Sequence, residues 1–163
     1  MEQEGLEDSM YSGHRGRWVG WLAISLIIGL FVTASAAEIH VPDDYRTIEE
    51  AVRNADRDDT IVVEDRFIIR DSITLRNERR LTIEGEFRFR RNTVIQGRRD
   101  TEPVIELLNC SDITFKNLTI QSGSVGISAT NSRNIEIVEC VIQDNAGSGL
   151  VGYDFIFCNI YRF

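Results

Sequence analysis

Two aspartates near the end of the 163-residue chain, in Gln143-Asp144 and Asp154-Phe155-Ile156-Phe157, are carboxylates of the kind that acid–base chemistry uses. Paired carboxylates cleave a glycan only when they face each other across one bond, one as acid or base and the other as nucleophile or activator of water. Asp144 and Asp154 are ten residues apart. Against them stands a plainer reading, in which Asp144-Asn145 is a polar turn and Phe155, Phe157 and Ile160 alternate as strand residues. The second cluster is basic: Arg76, Arg79, Arg80, Arg88, Arg90, Arg91, Arg98 and Arg99 are offset only by Glu78, Glu84 and Glu86 over residues 76–99. Guanidinium groups hold carboxylates bidentately. Arg76, Arg79, Arg80, Arg88, Arg90 and Arg91 are therefore candidate ligands for an anionic glycan, provided that the fold aligns them into a stripe. The competing reading is that turns must be polar and that this chain uses arginine there, Lys116 being its only lysine. The acids Asp56, Asp58, Asp59, Glu64 and Asp65 are numerous enough for Ca²⁺ but fall in helix-end and turn sequence, and read as solvated surface. Cys110, Cys140 and Cys158 have no metal-pair spacing, and His40 is the one histidine after residue 37. No metal and no cofactor are expected.

What must position these groups is a repeat. Asn109, Ile113, Phe115, Leu118 and Ile120 recur at a constant offset of 22 as Asn131, Ile135, Ile137, Cys140 and Ile142. A third, degenerate copy begins near Tyr153. Upstream, Ile61-Val62-Val63, Phe67-Ile68-Ile69, Ile73-Thr74-Leu75, Leu81-Thr82-Ile83 and Val94-Ile95 are equally short apolar runs between charged or Gly-containing turns. A fixed period of this length signals a solenoid. Runs of three residues are too short for hairpins of stable register, but stacked coil on coil each pairs in parallel with its own copy. Inward side chains then form columns, and Asn109 and Asn131 stack at one turn. The expected fold is all-β: a right-handed parallel β-helix of about 22-residue coils over residues 60–163. The odd cysteine count is not a disulfide framework. The three read as small buried hydrophobes, with a Cys140–Cys158 bridge between neighbouring coils as the alternative.

One helix precedes the coils. Thr47-Ile48-Glu49-Glu50 is a capping box, and Ile48, Ala51, Val52 and Ala55 recur at helical spacing, which predicts a helix over 47–56. Residues 38–59 thus form a short strand and an N-terminal cap, covering core and strand edges that would otherwise meet water. Residues 1–37 are different again. Arg15 and Arg17 precede an uncharged stretch, residues 18–37, that ends in Ala34-Ser35-Ala36-Ala37. This is the pattern of a signal peptide; the rival is an uncleaved membrane anchor. The rest carries 22 acids against 16 bases, an acidic balance that argues against a nucleic-acid partner. Membrane contact is expected only through residues 18–37, if they are not removed. No helix follows the repeat, so its last coil is expected to be bare, and the chain to be a truncated product, a fragment, or a protein whose end a partner covers.

The run Ile39-x-Val41-Pro42-x-x-Tyr45-x-Thr47-Ile48-x-x-Ala51-Val52, with Asp59-Thr60-Ile61-Val62-Val63 after it, resembles the opening segment of pectin-lyase-like right-handed β-helix proteins. The flavour is that of the NosD or CASH type (carbohydrate-binding proteins and sugar hydrolases), and Gly147-Ser148-Gly149-Leu150 fits the same coil pattern. Asp58 and Arg66-Phe67 depart from it, standing where the group has glycine-containing turns. The group includes lyases, hydrolases, esterases and non-catalytic surface proteins. Among these, the pectin methylesterase motifs resemble the sequence around Asp144 and Asp154, and it is this resemblance that makes the two aspartates catalytic candidates, but Asn145-Ala146 and Cys158 depart from the motifs. The repeat and the export signal together lead to the expectation of a scaffold at the cell surface or in the periplasm, binding a polysaccharide or a cell-surface protein without catalysis. The alternative is a fragment of a carbohydrate-active esterase, lyase or hydrolase.

Overall fold

The computed structural model describes residues 36–64, 68–86, 93–153 and 156–161, the last of these as backbone only. The chain opens with β1 (Glu38–Val41) and α1 (Ile48–Asn54). Thr47 caps the helix, its hydroxyl accepting the Glu50 N–H at 3.1 Å. The helix stops short of the expected residue 56. Ala55 is already extended, and the Asp56 amide donates to the Asp59 carboxylate at 2.7 Å. That carboxylate is buried and also accepts the Ala37 N–H at 2.8 Å, tying the start of β1 to the end of α1. A buried charge is tolerated when such donors surround it.

Four coils follow. The first holds β2 (Thr60–Val63), β3 (Ile68–Arg70) and β4 (Ile73–Arg76). The second holds β5 (Arg79–Gly85), β6 (Thr93–Gln96) and β7 (Ile105–Leu108). The third holds β8 (Ser111–Lys116), β9 (Leu118–Gln121) and β10 (Ile127–Thr130), and the fourth β11 (Arg133–Val138), β12 (Val141–Gln143) and β13 (Leu150–Tyr153). β14 (Ile156–Tyr161) begins another. Every pairing is parallel and joins a strand to its copy one coil away, giving sheets β1-β2-β5-β8-β11-β14 (A), β3-β6-β9-β12 (B) and β4-β7-β10-β13 (C). The right-handed parallel β-helix expected from the repeat is the fold. Sheet A begins one rung before B and C. α1 fills the space left there, packing Ile48, Ala51 and Val52 inward against β1, β2 and β4.

The core is a set of stacks, because in-register parallel pairing sets each inward residue on its own copy. Leu81, Ile113 and Ile135 form one stack, and Ile39, Ile61, Ile83, Phe115 and Ile137 another. Sheet C contributes Ile73, Ile105, Ile127 and Leu150. Each fully buried isoleucine or leucine contributes roughly 2 kcal/mol.

The period is not constant. Coils one and three advance by 22 residues in sheet A, but the second advances by 32, pairing Arg79 with Ser111 and Leu81 with Ile113. The surplus lies in the connections β5–β6 and β6–β7; the matching β8–β9 turn is Asn117 alone. Thr93 opens β6 fully buried, its hydroxyl donating to the Val63 carbonyl at 3.1 Å. Gly85 makes room for it, since a Cβ there would run into Thr93 and the Asn117 carbonyl.

Turn residues stack as the core does. Asn131 donates its side-chain amide to Asn109 at 2.7 Å, and Asn109 donates to Asn77 at 3.3 Å. The expected Asn109–Asn131 pair is therefore part of a three-rung ladder that also takes in Asn77. All three have left-handed backbones, with φ of 61°, 57° and 49°, a conformation that asparagine tolerates better than most residues. Asn109→Ala should cost about 2–3 kcal/mol, from two lost hydrogen bonds plus left-handed strain. Asn109→Gly should cost about 1 kcal/mol less, because it loses the bonds without the strain. Urea unfolding of both variants would check the difference, and equal losses would show that strain contributes nothing.

Candidate functional site

The corner between sheets C and A is made by two left-handed residues three positions apart. In successive coils these are Asn77 and Arg80, Asn109 and Asp112, and Asn131 and Asn134, with Asp58 opening the second series. Between them run Glu78-Arg79, Cys110-Ser111 and Ser132-Arg133; the same spacing from Asp58 puts Asp56-Arg57 at the first level. Backbone bonds hold the levels together: Ser111 N–H to Glu78 O at 3.0 Å, Arg133 N–H to Cys110 O at 3.1 Å, and Asp58 N–H to Arg80 O at 2.6 Å. The small residues turn inward. Cys110, Ser111 and Ser132 are buried. The Ser132 hydroxyl accepts the Cys110 N–H at 3.1 Å and donates to the Thr130 carbonyl at 3.0 Å. The arginines, with no room inside, project outward.

Small floor residues between projecting arginines leave a groove parallel to the helix axis. It consists of two adjoining clefts that share Arg79. The cleft toward α1, about 390 Å³, is lined by Ala55, Asp56, Arg57, Asn77, Glu78, Arg79 and Leu81. The other, about 240 Å³, is bounded by Arg79 and Arg133, with Asn109, Cys110, Ser111, Asn131 and Ser132 between them. Arg79, Ser111 and Arg133 are paired coil to coil, and Arg57, in the turn before β2, lines the cleft beside Arg79. Arg79 and Arg133 therefore lie two strand spacings apart, about 10 Å. Arg57, Arg79 and Arg133 are exposed and, among the described residues, form no ion pair.

Burial raises the Glu78 carboxyl above its ordinary value. Burial likewise raises the Cys110 thiol, with neighbouring backbone amides pulling the other way. A buried thiol held in its neutral form is a poor nucleophile, and the Ser132 hydroxyl is committed to the backbone. The chemistry that the groove offers is the binding of anions by guanidinium groups, beside amides and hydroxyls.

The structure distributes the candidate residues unevenly. Arg76, Arg79 and Arg80 fan out across one coil, so they do not stack into a stripe. Arg76 ends β4 on the outer face of sheet C, in a column with Leu108, Thr130 and Tyr153. Arg79 stands in the groove. Arg80 is turned to Asp58, with its guanidinium 2.7 Å from the carboxylate. Arg88, Arg90 and Arg91 lie outside the described residues, as do Asp154 and residues 1–35. Asp144 is an exposed left-handed turn residue after β12 (φ 52°), and its carbonyl accepts the Ser122 N–H at 3.2 Å. Cys110 and Cys140 are free thiols; the Cys158 side chain is outside the described set. Arg57 and Arg133 are groove residues that proximity in sequence does not reveal. Their signal is the period itself, since Arg57 precedes Arg79 by 22 residues and Arg133 follows Ser111 by 22.

The sequence matches the family model described as a right handed beta helix region over residues 54–161. No curated protein matches it. Among solved structures it resembles the crystal structure of alginate lyase from Paenibacillus sp. str. FPU-7, with a TM-score of 0.56 and 14% identity, covering 76% of this chain. The chain spans 44% of that protein's length, and identity at this level carries the fold alone.

Arg80 serves the corner and not the groove, and two opposing effects fix what its replacement does. The exposed Asp58 pair is worth at most about 1 kcal/mol, while a left-handed non-glycine residue costs about 1–2 kcal/mol. Arg80→Gly should therefore leave stability unchanged or raise it by up to about 1 kcal/mol. Thermal unfolding would check this, and a marked loss would mean that the ion pair outweighs the strain.

Proposed function

The chain belongs to the right-handed β-helix family, and on that premise we propose that it is an exported, non-catalytic scaffold that binds an acidic glycan along the corner groove. The observation that carries the reading is the set Arg57, Arg79 and Arg133, which line two adjoining clefts and, among the described residues, form no ion pair. Guanidinium groups spaced along the axis suit a linear polymer lying in that direction, because it can meet one after another. The floor supplies amides and hydroxyls suited to sugar hydroxyls. The groove's two carboxylates, Asp56 and Glu78, sit beside arginines, which suits tuning of binding better than paired acid–base work. The alternative, a piece of a carbohydrate-active enzyme, draws on the family's breadth, and among the described residues no acid–base pair is assembled to support it. Export rests on residues 1–37 and their small-residue site at Ala36-Ala37. Among the described residues no helix is long and apolar enough to cross a membrane.

The test is binding of the folded chain to polygalacturonate, alginate and a neutral glucan, followed calorimetrically. The acidic polymers should bind and the neutral one should not, and added salt should weaken the complex. Arg79→Ser with Arg133→Ser should lower affinity at least about tenfold at unchanged thermal stability. Binding that ignores both substitutions would sink the groove reading; release of unsaturated or de-esterified product would overturn the non-catalytic one.

A further inference from the structure

Beside the arginine column runs a second one: Asp56, Glu78, Cys110 and Ser132. It gives the two clefts different charge. Between Arg79 and Arg133 the lining has no carboxylate. Toward α1, Arg57 and Arg79 share the cleft with Asp56 and Glu78, so two positive charges meet two negative ones. Of the two acids, Asp56 is exposed and Glu78 half-buried. Water screens a buried carboxylate less than an exposed one, so Glu78 acts more strongly on whatever enters.

We propose that Glu78 makes the groove acid-sensitive: its carboxylate opposes an anionic ligand beside Arg57 and Arg79, and protonation removes the opposition. The inference rests on the anion-binding reading above and adds its regulation. The groups around Glu78 are few. The α1–β2 connection contributes Asp56 and Arg57, and its own coil contributes Arg79, with Asn77 and Leu81 uncharged. Arg80 is engaged by Asp58. From coil three comes Cys110, whose thiol burial holds neutral. The sign follows directly. Desolvation raises the Glu78 carboxyl above its ordinary 4.5, so it takes up its proton earlier than an exposed glutamate as the pH falls. The cleft then changes from balanced charge to a net single positive charge. Anion affinity rises with acidification and is lost again as the pH climbs through the Glu78 value.

Fluorescent dextran sulfate is the probe, because its sulfate esters stay ionised throughout the window. Its affinity for the intact chain should rise about fivefold between about pH 7 and about pH 4.5, the size expected for removing one nearby negative charge. Glu78→Gln should bind more tightly than the parent at about pH 7 and show a clearly smaller step, the remainder coming from the chain's other carboxylates, which also take up protons toward about pH 4.5, while Asp56→Asn should keep most of the step. A step of undiminished size in Glu78→Gln, or none in the unsubstituted chain, would overturn the gate. If the Arg79→Ser, Arg133→Ser double variant binds the probe as well as the parent at both pH values, the groove reading itself has failed. Circular dichroism of each variant at both pH values establishes that the coils are intact, so a smaller step reports on Glu78 and not on unfolding.

Discussion

Parallel pairing of each strand with its own copy one coil away is the interaction on which everything else in this molecule depends. It requires that each strand return to the same register after a full turn, and it stacks like residues on like. Core order follows from it. Ile83, Phe115 and Ile137 lie in one column because their backbones pair in register, and the same is true of the outward columns. The inward side chains of the sheets are placed chiefly by the residue one coil above and the residue one coil below.

The same constraint explains the turns. At its tightest corners the coil changes direction within one or two residues, and a left-handed residue does so most compactly. Left-handed positions therefore recur in register: Asn77, Asn109 and Asn131; Asp58, Arg80, Asp112 and Asn134; Asn117 and Glu139; Ser122 and Asp144. Where asparagine occupies them the strain is small and the amides bond from coil to coil. Where Arg80, Ser122 or Glu139 does, the coil's other contacts must offset the strain. Asp144 belongs to this set, and its type and position are accounted for by the turn.

The groove is a by-product of the corner geometry. Two left-handed residues three apart leave a two-residue segment whose small members fill the inside while arginine must project. Because the backbone beneath is a hydrogen-bonded ladder, the spacing of Arg79 and Arg133 is set by strand separation and not by loop conformation. A rigid row of charges suits a repeating polymer, since little ordering has to accompany binding. Glu78 lies where this row meets the cap, so a change in its protonation acts on ligand contact without moving the scaffold.

Much of this was legible in the chain itself. The capping box at Thr47–Glu50, the inward Ile113, Phe115, Leu118 and Ile120 with their copies, and the Asn109–Asn131 stack all follow from local spacing and a constant offset. They are legible because, from β8 onward, distance in space is a simple function of distance in sequence. The second coil breaks that function. Its 32-residue advance shifts the phase, so Asn77 does not fall on the same count as Asn109, and Arg79 is not visibly the mate of Ser111 and Arg133. Reading the arginines by proximity groups Arg76 with Arg79 and Arg80, which the coil sends to three different columns. Sequence alone determined which residues could stack and which had to turn. Only the tertiary structure decided which charges share a groove, because in a solenoid neighbours are set by register, and an insertion changes the register without leaving a periodic mark.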